Sequence, residues 1–221
     1  MTNREFINTI IDYYVESREL TCNFEKYNIW RGVNHSVSSK AEDLFALFIA
    51  KKIDRLDIEL IVDKTMSYRT PDGKSKQFRP DLAIVQNGIL THIIDLKMDM
   101  GYKRRYHETE KFKSEEVMYS LIRSQTNFPI SYNQGPYIEP RFLAVSSNIK
   151  CQIVVISERN EGKSSNRTDM TASINCLDWA RIYYLTGNIH PNYYGERAKE
   201  LITIYNETFN TLINDIRANL S

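Results

Sequence analysis

The sequence predicts an α/β (α+β) sandwich in which a central mixed β-sheet is flanked by helices, with extra helices at both ends. Three observations lead there. Apolar residues recur at helical spacing near both termini; residues 57–98 switch to short β-branched runs; and turn residues punctuate those runs. A length of 221 residues suits one domain, 1–221, with a core over about 38–157 and a helical part over 174–221.

Element by element, Asn3 to Leu20 carries Phe6, Ile7, Ile10, Ile11 and Tyr14 on one helical face. A polar, aromatic connection through Trp30, Gly32 and His35 follows. Ser38 and Ser39 open a second helix with Ala41, Leu44, Phe45 and Phe48 as its stripe. Ile58 to Tyr68 reads as a strand closed by Pro71-Asp72-Gly73, and Phe78 to Val85 and Ile89 to Met98 as two more joined at Asn87-Gly88. A basic loop leads to a helix over 107–125, then to an irregular, proline-rich stretch over 126–140. Phe142 to Val145 and Cys151 to Ile156 read as short strands around an Asn148-Ile149-Lys150 turn. After a polar loop, the stripe Leu201, Tyr205, Phe209, Leu212, Ile216, Leu220 predicts a largely helical C-terminus.

Composition narrows the function classes. A net charge of +1 excludes a strongly basic nucleic-acid wrapper, while leaving room for local phosphate-binding patches. Cys22, Cys151 and Cys176 lie far apart, which argues against a disulfide framework and a structural zinc site. No apolar run approaches a membrane span, and Met-Thr-Asn-Arg-Glu is no signal peptide, so a cytoplasmic protein is expected. The 8 glycines form no Gly-x-x-x-x-Gly-Lys loop, which argues against a phosphate-cradling NTPase.

Three charged residues sit where apolar ones are expected. Asp81 follows Pro80 at the head of Leu82-Ala83-Ile84-Val85; Asp95 and Lys97 stand within Ile93-Ile94-Asp95-Leu96-Lys97-Met98. Alternation puts Asp95 and Lys97 on one strand face, about 6.6 Å apart along the axis. Charges in such surroundings need partners or a metal. Two carboxylates on adjacent strands suit hard oxygen coordination of Mg²⁺, which polarises a phosphate and acidifies a bound water. Register supplies a test. A regular two-residue Asn87-Gly88 turn pairs Gln86 with Ile89 and sets Asp81 opposite Ile94, leaving the aspartates on opposite faces. A shared face therefore requires a three-residue loop or a β-bulge between the turn and the site.

Phe78-Arg79-Pro80-Asp81 followed by Asp95-Leu96-Lys97 resembles the PD-(D/E)xK signature of restriction-endonuclease-like nucleases, over roughly Ser38 to Ile156. That resemblance implies a metal-dependent endonuclease with Glu42, Asp81, Asp95 and Lys97 as its catalytic residues. Asp81, Asp95, the Leu96 carbonyl and Glu42 would be its metal ligands, with Mg²⁺ as cofactor and Mn²⁺ able to substitute. Double-stranded DNA is the expected partner, as in a type II restriction enzyme, and a homodimer is compatible with it. An RNA-cleaving nuclease and a non-catalytic nucleic-acid-binding domain of the same fold stay open.

Individual residues carry alternatives. Glu42 also fits a capping box opened by Ser39, with Asp43 as a substitute ligand. His35 is either a loop residue or an extra ligand. Lys103, Arg104, Arg105, Lys111 and Lys113 are either a phosphate-contacting patch or a solvated face, as are Arg159, Lys163 and Arg167.

Overall fold

The computed structural model describes residues 1–19, 22–24, 27–30, 36–70, 72–100, 130–133, 139–159, 174–175 and 177–220. The architecture is mixed α/β, with a central mixed sheet flanked by helices. The chain opens with α1 (Asn3–Glu19), a short hairpin of β1 (Cys22–Phe24) and β2 (Tyr27–Trp30), and α2 (Ser38–Ile53). Five strands follow: β3 (Ile58–Val62), β4 (Met66–Arg69), β5 (Ser75–Phe78), β6 (Leu82–Gln86) and β7 (Ile89–Lys97). Then come β8 (Ile130–Tyr132), the long β9 (Arg141–Ser157) and β10 (Ala180–Gly187). The chain closes with α3 (Ala198–Leu201), β11 (Thr203–Ile204) and α4 (Asn206–Ala218).

The central path runs β3-β6-β7-β9-β10-β11. Its β3/β6, β6/β7 and β10/β11 pairs are antiparallel, and its β7/β9 and β9/β10 pairs are parallel. The first residues of β9 also pair with β8, which leads on to β4 and β5. Apolar cores lie on both faces. On one, Leu82, Ile84, Ile94 and Leu96 meet α1, α2 and α4 through Phe6, Phe45, Phe48 and Phe209. On the other, Ala83, Val85, Ile93 and Ile153 meet Met66, Tyr68, Ile130 and Tyr132. Burial on both sides explains why β6 reads Leu-Ala-Ile-Val without alternation.

Several expectations are corrected. The strand expected over Ile58 to Tyr68 is two strands, because Asp63 adopts a left-handed φ of 48° and turns the chain between β3 and β4. Phe78 to Val85 is likewise split at Arg79-Pro80-Asp81, where Pro80 has no N–H for a ladder. Phe142 to Ile156 is one long strand rather than two around a turn, and 126–140 contains β8. The C-terminal part is not mainly helical. β10 lies parallel to β9, so the central sheet extends past residue 157. The connection after α1 holds a hairpin rather than only a loop. The helix expected over 107–125 and its basic loop lie outside the described residues, as do His35, Lys163 and Arg167.

Candidate functional site

The site is built by an irregularity in the β6–β7 hairpin. Asn87 (φ 51°) and Gly88 (φ 77°) form a two-residue turn with positive φ at both positions, a geometry these two residue types favour. Gln86 pairs with Ile89 and Val85 with Leu90, after which the register shifts: Ile84 pairs with His92, Ala83 with Ile93, and Leu82 with Ile94. Thr91 is the extra residue, a β-bulge of the kind the sequence requires. Its hydroxyl donates to the Ile84 carbonyl at 3.1 Å. The Thr91 oxygen then accepts from His92 Nδ1, 2.9 Å away. His92 is fully buried, and burial holds its pKa down at about 4, so the ring is a neutral donor to the bulge.

Continued by one residue, the shifted register sets Asp81 opposite Asp95. Both carboxylates project to one face, where the Lys97 ammonium pairs with Asp95 Oδ1 and stands 3.5 Å from Asp81 Oδ2. The three side chains are only 16–24% exposed. The Leu96 N–H donates to Asp81 Oδ2 at 2.6 Å. In the same register Leu96 would pair with Pro80, which has no N–H to offer the Leu96 carbonyl.

Two half-buried carboxylates share one ammonium, and the deficit shows in the protonation of Asp81. Burial, with the adjacent Asp95 carboxylate adding to it, pushes the Asp81 carboxyl up to about 7, against the opposing pull of Lys97 and the Leu96 N–H. Glu42, half-buried near the start of α2, is also raised: first by burial, then by the Asp63 carboxylate, with Lys97 and Arg79 opposing. Glu42 is therefore within electrostatic range of Lys97. The capping-box alternative fails, since α2 begins at Ser38 with Val37 as its cap residue and no side-chain cap bond. Among the described residues, no three or more His, Cys, Asp or Glu side chains stand close enough together to hold a metal ion. Glu42 thus shares the site's field without completing a ligand set with Asp81 and Asp95.

Two neighbours escaped the sequence reading. The β3/β6 register pairs Val62 with Leu82, and the Asp63 N–H donates to the Asp81 carbonyl at 3.1 Å. Asp63, Asp81 and Asp95 therefore lie in one row across three strands. Arg79 is fastened to Asp63 by Nε to the backbone carbonyl at 3.3 Å and by Nη2 to the carboxylate. The cue was the polar triplet Asp63-Lys64-Thr65 interrupting an apolar run. Lys103, Arg104, Arg105, Lys111 and Lys113 lie outside the described residues. No described helix is long and apolar enough to cross a membrane. No protein-family model, curated protein or solved structure matches the chain.

Proposed function

We propose that the chain is a metal-dependent endonuclease with a restriction-endonuclease-like core, hydrolysing phosphodiester bonds of double-stranded DNA. One observation carries the reading: the Thr91 bulge turns Asp95 and Lys97 onto the face of Asp81, gathering two half-buried carboxylates around a single ammonium. Folding gains nothing from this. Desolvating a second carboxylate without its own counter-charge is costly, and the cost is visible in the raised Asp81 carboxyl.

The donor set fits Mg²⁺, or Mn²⁺ in its place: hard oxygens from Asp81 and Asp95, plus the Leu96 carbonyl between them in the chain. Glu42, which completes no direct ligand set with them, would take part through water. A divalent ion held there supplies Lewis acidity toward a phosphate and an acidified water. The chain's own groups do the rest. Burial keeps a proton on Asp81 up to about pH 7, and added positive charge favours its release. Lys97, fixed between them, is placed to orient a nucleophilic water or to neutralise charge on the phosphate.

The test is incubation of the purified protein with plasmid DNA and with RNA, in Mg²⁺, Mn²⁺ or chelator, beside Lys97→Ala. DNA cleavage that needs the ion and falls roughly 100-fold or more in the variant is expected. Absence of cleavage on either substrate, or equal cleavage by the variant, would overturn the proposal.

A further inference from the structure

Beside the row of carboxylates, between the β3–β4 turn, β5 and β8, runs an open groove of about 330 Å³. Its lining includes Asp63, Lys64, Ser67, Gln77, Arg79 and Asn133. Hydroxyls and amides without charge alternate with two cations, and the one carboxylate is bonded to Arg79. The groove adjoins the site through the backbone, because Asp63 both lines it and donates its N–H to the Asp81 carbonyl.

Arg79 is the most specific feature of this groove. Its side chain is 60% exposed, yet its guanidinium is oriented. Nε and Nη2 are taken up by Asp63, which leaves the rest of a five-donor fork for a ligand. The charges of Glu42 and Asp81 reach it as well. An oriented guanidinium at the rim of a carboxylate cluster suits a bridging phosphate, which Arg engages through parallel N–H bonds.

We infer that this groove carries the phosphodiester backbone of the substrate into the candidate site, with Arg79 and Lys64 contacting its phosphates. The identity of the ligand rests on the nuclease reading; the polyanion-binding surface itself does not.

The experiment measures binding of a short fluorescent DNA duplex by anisotropy across a sodium chloride series, in chelator so that nothing is cut. Each phosphate contact contributes about 0.9 to the slope of log K against log salt, so Arg79→Ala with Lys64→Ala is expected to flatten it by roughly 2. The charge-keeping pair Arg79→Lys with Lys64→Arg should hold the slope. Lys199→Ala, on the helical side, should leave it unmoved, and all variants should melt as the wild type does. An unchanged slope in the double alanine variant overturns the groove assignment, even if the wild type cleaves DNA with Mg²⁺. A flattened slope in a protein that cleaves nothing keeps the groove as a polyanion site and removes the hydrolase reading instead.

Discussion

Replacing Asp81 with Asn should make the protein more stable at alkaline pH while abolishing the proposed DNA cleavage. In the wild type, burial raises this carboxyl from an ordinary 3.8 to about 7. Between those values the folded protein holds a proton that the unfolded chain has released. The unfolding free energy therefore falls as pH rises from about 4 to about 7, and stays low above that. Some three pH units at roughly 1.4 kcal/mol each set a ceiling near 4 kcal/mol. Lys97 is shared with Asp95 and the side chain is one-fifth exposed, so about 2 kcal/mol is the expected gain. Asparagine cannot ionise but keeps the size and an oxygen for the Leu96 N–H. Urea unfolding in chelator at about pH 4 and about pH 8 measures the difference, with equal m-values showing that only stability changed. The variant should match the wild type under acid conditions and exceed it under alkaline ones. Magnesium at about ten times its dissociation constant should return roughly 1.4 kcal/mol to the wild type and nothing to the variant. Parallel pH dependence in both proteins would refute the reasoning, since Asp81 would then carry no uncompensated charge.

Lys97→Ala leaves both carboxylates without their ammonium and should cost about 2–3 kcal/mol near neutrality. The loss should shrink as acid protonates them, read from the same unfolding curves. Thr91→Val removes the bond to the Ile84 carbonyl and the acceptor for His92, for a loss of about 1–3 kcal/mol by chemical denaturation. Phe48→Ala empties a site packed against Phe6, Phe45 and Phe209 and should cost about 3–5 kcal/mol.

The parts of the fold legible in the sequence are those set by local periodicity and turn chemistry. α1 and α2 follow their apolar stripes, and Asn87-Gly88 supplies the positive φ values a two-residue turn needs. What was not legible depends on long-range burial. Ile182-Tyr183-Tyr184-Leu185 is apolar throughout because β10 is covered on both faces, and periodicity cannot separate such a run from a buried helix. The helical stripe downstream was real only from Phe209 onward; Leu201 is 37% exposed in the short α3. The break at Asp63 was hidden for another reason. Its left-handed backbone is paired with the Asp81 carbonyl and the Arg79 side chain, contacts eighteen and sixteen residues away in the chain.

The facing of Asp81 and Asp95 was legible where much of the topology was not, and the reason is physical. A two-residue turn and a pair of facing aspartates are incompatible in a regular ladder, so the sequence contained a contradiction that only an inserted residue could resolve. The structure resolves it at Thr91, with a hydroxyl bonded to the Ile84 carbonyl and a neutral buried histidine completing the cluster. A bulge bends a strand and interrupts its ladder. Compared with a regular ladder of the same sequence, it moves Asp95 and Lys97 to the face of Asp81 while keeping the two-residue turn. Pro80 stands between the exposed β5 and the buried β6, where the chain passes from one ladder to another, and it has no N–H for a ladder bond. The proline and the bulge, eleven residues apart, bracket the stretch of β6 and β7 in which Asp81 comes to face Asp95. That arrangement is the ground for proposing a metal site rather than a chance salt bridge at the end of a strand.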